Sequence, residues 1–156
     1  MSKTFKRQLE RQKDGSTLQL LFKAARRLDE EAIARVARSK GAPRLRRSHT
    51  SLLPHIDLEG TRVSDLAERL GVTKQAVSQL VDDLEAMGVL RREVDAADAR
   101  AKRVLFTDKG RATLLEGLGV LRALEAELTE RVGTATMAGL REGVLAILSV
   151  IDPPSG

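Results

Sequence analysis

The stretch SDLAERLGVTKQAVSQLVDDLEAMGVL, residues 64–90, limits what this chain can fold into more than any other. Ala67, Gly71, Val77 and Leu80 are spaced as in two helices joined by a tight turn. Ala67 is small where the second helix crosses the first, Gly71 admits the left-handed backbone of the turn, and Val77 and Leu80 pin the second helix down. Leu66, Leu70 and Leu84 complete a small core. With those positions turned inward, Thr73, Lys74, Gln75, Ser78, Gln79 and Asp82 are left on the outer face near the start of the second helix, where a recognition helix meets the major groove. Their chemistry suits that role. Gln pairs with adenine, Lys reaches guanine or phosphate, and Thr or Ser contacts either a base or the backbone. The pattern predicts double-stranded DNA as the partner, read by Thr73, Lys74, Gln75, Ser78 and Gln79. A helical hairpin with a solvated outer face also fits these residues, so the flanking sequence must decide.

Two short strands follow, at about 89–94 and 103–107, around a polar Ala/Asp-rich loop too long for a two-residue turn. This hairpin holds Arg91, Arg92, Arg100, Lys102 and Arg103, with Lys109 and Arg111 just beyond, against Glu93, Asp95, Asp98 and Asp108. A basic wing beside a recognition helix would reach the DNA backbone or the minor groove. The alternative is a protein-interaction module that offers the basic wing to an acidic partner. The net charge of +5 favours a polyanion as partner, and the excess lies early: residues 1–47 hold 14 Lys and Arg against 5 Asp and Glu.

Elsewhere the periodicity is helical. Leu18, Leu21, Phe22, Ala25, Leu28, Ala32 and Val36 form one stripe on a helix from Thr17 to about Lys40, preceded by a basic flexible tail over 1–15. A second helix is expected from Arg46 to about His55, and Ser64 stands where the next should be capped. Thr73 caps the helix after it, and Thr107-Asp108 begins one carrying Leu114, Leu118, Leu121, Leu124 and Leu128. A last helix carries Met137, Leu140, Val144, Ile147, Leu148 and Ile151, before Pro153-Pro154. With 24 Leu, 19 Ala and only three aromatic residues, aliphatic helix packing is favoured and an all-β sandwich is not. No uninterrupted apolar run approaches the roughly 18 residues of a membrane span, and the N-terminus lacks an apolar signal core, so a cytoplasmic protein without membrane contact is expected. The absence of Cys excludes disulfides, thiolate metal sites and thiol chemistry. His49 and His55 are six apart and share no helix face, so no metal or other cofactor is expected. There is no HExxH, no GxSxG and no Gly-rich phosphate loop, which argues against an enzyme.

The chain resembles the MarR family of winged-helix regulators over nearly its whole length. The resemblance is carried most specifically by Asp98-x-Arg100 in the wing, by Val104-Leu105-Phe106-Thr107-Asp108-Lys109-Gly110, and by Val77-Ser78-Gln79-Leu80-Val81-Asp82-Asp83-Leu84-Glu85 as the recognition helix. It departs from the family pattern at Gln79, Asp83, Ala99 and Phe106. The resemblance implies a mainly α fold with a small β-wing, a winged helix-turn-helix over 46–111 flanked by dimerisation helices at 16–45 and 112–152. It further implies a homodimeric repressor on a pseudo-palindromic operator. Arg100 would enter the minor groove and Asp98 would orient it, with Lys102 and Arg103 beside them in the wing. A small aromatic or anionic effector is implied as well, for which Phe22, Arg46, Arg47 and His49 are the candidate residues. The leucine stripes at 114–128 and 137–151 support pairing independently, because they are more apolar than one small chain can cover.

Overall fold

The computed structural model describes residues 3–95, 98 and 100–152, so Ala99 and Pro153-Pro154 lie outside the described residues. The described residues form seven α-helices and three short strands in the order α1 (Lys3–Asp14), α2 (Thr17–Val36), α3 (Arg47–Leu52), β1 (Thr61–Arg62), α4 (Val63–Leu70), α5 (Lys74–Ala86), β2 (Leu90–Val94), β3 (Lys102–Phe106), α6 (Asp108–Val132) and α7 (Thr134–Ile151). The strands form one antiparallel sheet in the order β1-β3-β2, with Leu90 opposite Phe106, Val94 opposite Lys102, and Thr61 opposite Val104. The mainly helical winged architecture is the one expected.

Several boundaries differ from the sequence reading, each for a local reason. Residues 3–14 form helix α1 in place of a tail without regular structure: they contain neither Gly nor Pro and place Phe5 and Leu9 one turn apart. Gly15 separates this helix from α2, whose first turn is capped where the Ser16 hydroxyl accepts the N–H of Gln19. Helix α2 stops at Val36, short of Lys40. The second helix is only six residues long and tightens into a 3-10 turn over Leu53–His55, where Pro54 has no N–H to continue the α ladder. Helix α4 starts one residue before Ser64, whose hydroxyl donates to Asp65 and caps nothing.

The chain divides into two compact units, residues 1–117 and 118–156. The first is organised around Leu52, Leu66, Val77, Val81, Leu84, Val89 and Val104, all fully buried, with Leu53, Ile56, Ala67, Leu90 and Phe106 around them. Gly110 makes this packing possible at the start of α6, because a Cβ there would lie 2.0 Å from the carbonyl oxygen of Val89. Thr107 fixes the same junction: its hydroxyl donates to the Gly88 carbonyl at 2.6 Å and accepts from the Gly110 N–H at 2.9 Å. In the second unit Leu124 is buried, whereas no residue of α7 is. Helix α7 has the length and mean hydropathy of a membrane-crossing helix, although Arg141 and Glu142 interrupt it midway.

Candidate nucleic-acid interface

Helix α4 presents Leu66 and Ala67 to the core and ends at Gly71, whose φ of 64° lies in the left-handed region that favours glycine. Its N–H and that of Val72 return to carbonyls in the last turn of α4. Thr73 then caps α5 by accepting the N–H of Ala76 at 3.2 Å. Val77, Val81 and Leu84 turn one face of α5 wholly inward, and that fixes the other face. Thr73, Lys74, Gln75 and Gln79 are exposed, and Ser78 is half-buried. The predicted reading residues are therefore gathered at the cap and along the leading part of one helix.

The wing is less freely basic than its composition suggests. Arg92, predicted to add to the wing's charge, instead turns toward α5: its guanidinium donates to Asp82 at 2.7 Å, to Glu85, and to the Ser78 carbonyl at 3.2 Å. Arg103 donates twice to the carbonyl of Gly60, Arg91 pairs with Glu93, and Lys109 donates to the Met87 carbonyl. Among the described residues, Arg100 and Lys102 are left as the exposed hairpin cations without a carboxylate partner. The turn that carries Arg100 is built by Asp98, whose carboxylate accepts the Arg100 N–H at 3.0 Å while its carbonyl accepts that of Ala101. Asp98 thus orients the Arg100 backbone directly. Just beyond the end of β2, Arg62 of β1 donates to the buried Asp95 at 2.7 Å, and this contact raises the arginine above its ordinary pKa.

The four candidate effector residues separate into two groups. Phe22, 64% exposed, and Arg47 line an open cavity of about 530 Å³ on α2 together with Gln19, Lys23 and Arg26. Arg46 and His49 point elsewhere, because positions 46 and 49 share a helix face that position 47 does not. His49 is fully buried, accepts the Arg46 N–H at Nδ1 (3.1 Å), and brings Nε2 to 3.4 Å from the Asp83 carboxylate. Arg46 donates to the same carboxylate. The hydrogen bond from His49, helped by that from Gln79 and by the charge of Arg46, holds Asp83 below the usual carboxylate pKa. Asp57 is likewise lowered, chiefly by its hydrogen bond to Arg69 of α4 and then by Thr61. These long-range ties leave no periodic trace in the sequence; the signal it does carry is the departure from the family pattern at Asp83.

A model of the MarR family matches residues 45–101, the segment that runs from just before α3 to the wing tip. Over the whole chain, the transcriptional regulator BldR from Sulfolobus solfataricus is 32% identical, covering 96% of this chain and 99% of its own, with a TM-score of 0.61. The chain belongs to the MarR family. Two further solved structures share its fold. The transcriptional repressor CouR, bound to a 23-mer DNA duplex, is 26% identical over 88% of this chain and 93% of its own, with a TM-score of 0.63. A cysteine-to-serine mutant of MarR from E. coli is 18% identical over 85% and 96%, with a TM-score of 0.69. In this MarR-family chain α4 and α5 are the helix-turn-helix and β2–β3 the wing of a winged-helix transcriptional regulator.

Proposed function

We propose that this chain is a sequence-specific repressor that binds a pseudo-palindromic operator as a homodimer and is released by a small aromatic or anionic effector. The observation that carries this reading is the division of α5: one face is wholly buried, and the opposite one offers Thr73, Lys74, Gln75 and Gln79. In it, α5 lies in the major groove, Arg100 reaches the flanking minor groove, and Lys102 meets the backbone. The DNA-bound structure of the related repressor CouR supports it. Arg103 stiffens the wing through Gly60 and leaves DNA contact to its neighbours.

Pairing is supported by the exposed apolar side chains of the second unit, among them Leu118, Leu121, Leu140, Leu145 and Leu148. A symmetric partner covers such a surface, and the charged pair Arg141 and Glu142 in mid-helix fits an interface edge better than a lipid core. Two recognition helices then fall about one DNA turn, roughly 34–36 Å, apart. The effector reading rests on the α2 cavity, whose lining of Phe22 with Lys23, Arg26 and Arg47 suits an aromatic carboxylate. Such a protein would work in the cytoplasm.

Fluorescence anisotropy over a salt series, with duplexes from the DNA upstream of the coding sequence and scrambled controls, tests the reading. The expected result is nanomolar binding to one site with at least ~10³-fold preference over scrambled DNA. Arg100→Ala is expected to weaken that binding. Weak binding, equal on all duplexes and indifferent to Arg100→Ala, would favour a wing that contacts an acidic protein instead.

A further inference from the structure

We propose that Asp83 is a positioning residue for base reading: anchored by His49 and Arg46, it fixes the side-chain amide of Gln79 so that the recognition helix selects adenine at one operator position. The proposal rests on the reading of α5 as the major-groove helix.

Asp83 stands one turn after Gln79 on α5, and three donors converge on its carboxylate. Gln79 Nε2 is 3.4 Å from Oδ1, His49 Nε2 is 3.4 Å from Oδ2, and Arg46 donates to Oδ2. The histidine cannot turn away. Its Nδ1 accepts the Arg46 backbone N–H at 3.1 Å, so in the neutral ring the proton sits on Nε2, facing Asp83 from a fully buried position. Loss of that acceptor would strand a buried N–H. Arg46, at the start of α3, supplies the charge that offsets the carboxylate on a helix facing polyanionic DNA.

This anchored acid dictates the orientation of Gln79. A carboxylate only accepts hydrogen bonds, so the amide can meet Asp83 only through its NH₂ group, and Oε1 must face away. One amide hydrogen is spent on Asp83, and the other remains. Gln79 therefore presents one acceptor beside one donor, complementary to the N6 amino group and N7 of adenine in the major groove. A freely rotating glutamine also offers the reverse order. The acid at position 83 thus fixes which end of its neighbour faces the base edge.

Asp83→Asn makes a sharp test. The Asn oxygen can still accept from His49 and Arg46, which turns its NH₂ toward Gln79 and reverses that amide. Position 79 then shows donors outward, which suits O6 and N7 of guanine. The wild-type chain, Gln79→Ala and Asp83→Asn are each selected against a duplex library randomised across the bound site, with thermal melts to establish folding and salt slopes to count phosphate contacts. The expected wild-type result is one position with a strong adenine preference that Gln79→Ala flattens. In Asp83→Asn the adenine-to-guanine ratio there falls about tenfold, with the other positions and the salt slope unchanged. A wild-type ratio in folded Asp83→Asn overturns the proposal while the reading of α5 stands. If Gln79→Ala alters no position, the proposal falls through Gln79 itself. A wild-type protein without any base preference removes the functional reading beneath both. Should Asp83→Asn fail to fold, Arg46→Gln replaces it: Arg46 is 65% exposed at its side chain, and its loss loosens Asp83. The same ratio then falls severalfold, and an unchanged ratio overturns the proposal.

Discussion

The winged segment and the C-terminal helical unit are built from similar aliphatic residues, yet only the winged segment encloses a substantial buried core. Around α3 to β3, Leu52, Leu66, Val77, Val81, Leu84, Val89 and Val104 are fully buried, and every described buried side-chain polar atom has a partner. In α7, where the apolar content is higher, nothing is buried, and Val150 and Ile151 are 78% and 70% exposed. The segment matched by the family model, residues 45–101, falls within the self-sufficient region. Apolar content alone therefore does not make a core. The winged segment folds its strands and helices against one another, whereas α7 leaves its apolar side chains exposed.

The comparison can be broken at its weakest point first. Leu148→Glu puts a charge on the exposed face of α7 and is expected to abolish the proposed homodimer, with light scattering after size exclusion giving about 17 kDa at micromolar protein where the wild type gives twice that mass. An unchanged dimeric mass would place the interface elsewhere. In the winged segment, Leu84→Ala empties a fully buried site and is expected to cost about 2–5 kcal/mol in urea unfolding, against a small change for Leu115→Ala on exposed α6. Gly110→Ala forces a Cβ onto the Val89 carbonyl, and a loss of roughly 1–3 kcal/mol is expected in the same experiment. Thr73→Ala removes the α5 cap for about 1 kcal/mol and should also weaken DNA binding, because the cap sits on the reading face.

The smallest effect concerns pH. Asp83 has its pKa lowered in the folded chain, so its stabilising contribution is complete above the ordinary carboxylate value of roughly 3.9 and is lost as pH falls through the lower folded value. Thermal melts of wild type and Asp83→Asn should therefore differ at neutral pH and converge in acid. A difference that persists well below the carboxylate range would assign the effect to packing.

Legibility in the sequence follows the range of the interactions. Ala67, Gly71, Thr73 and Val77 act over a few residues, so their spacing makes the two helices and their turn legible, while the basic hairpin that follows is needed to read them as a helix-turn-helix. The N-terminal helix is hard to read because its charges resemble those of a solvated tail, while Phe5 and Leu9 are too few to form an obvious stripe. The inward turn of Arg92 and Arg103 is hidden because composition counts a charge without its partner, and Gly60 lies 43 residues from Arg103. His49 and Asp83 are 34 residues apart and meet only when α3 packs on α5. The resemblance groups His49 with Phe22, whereas the fold places His49 against Asp83 and Phe22 beside Arg47, a separation that no local spacing encodes.

The Arg92 clasp has a practical consequence for redesign. It holds α5 at Ser78, Asp82 and Glu85, all beyond the leading residues Lys74 and Gln75. The helix is thus fastened at its rear and free at its tip. Libraries varied at positions 74 and 75 would be displayed in one constant frame, so altered operator preferences could be attributed to the new side chains rather than to a re-aimed helix.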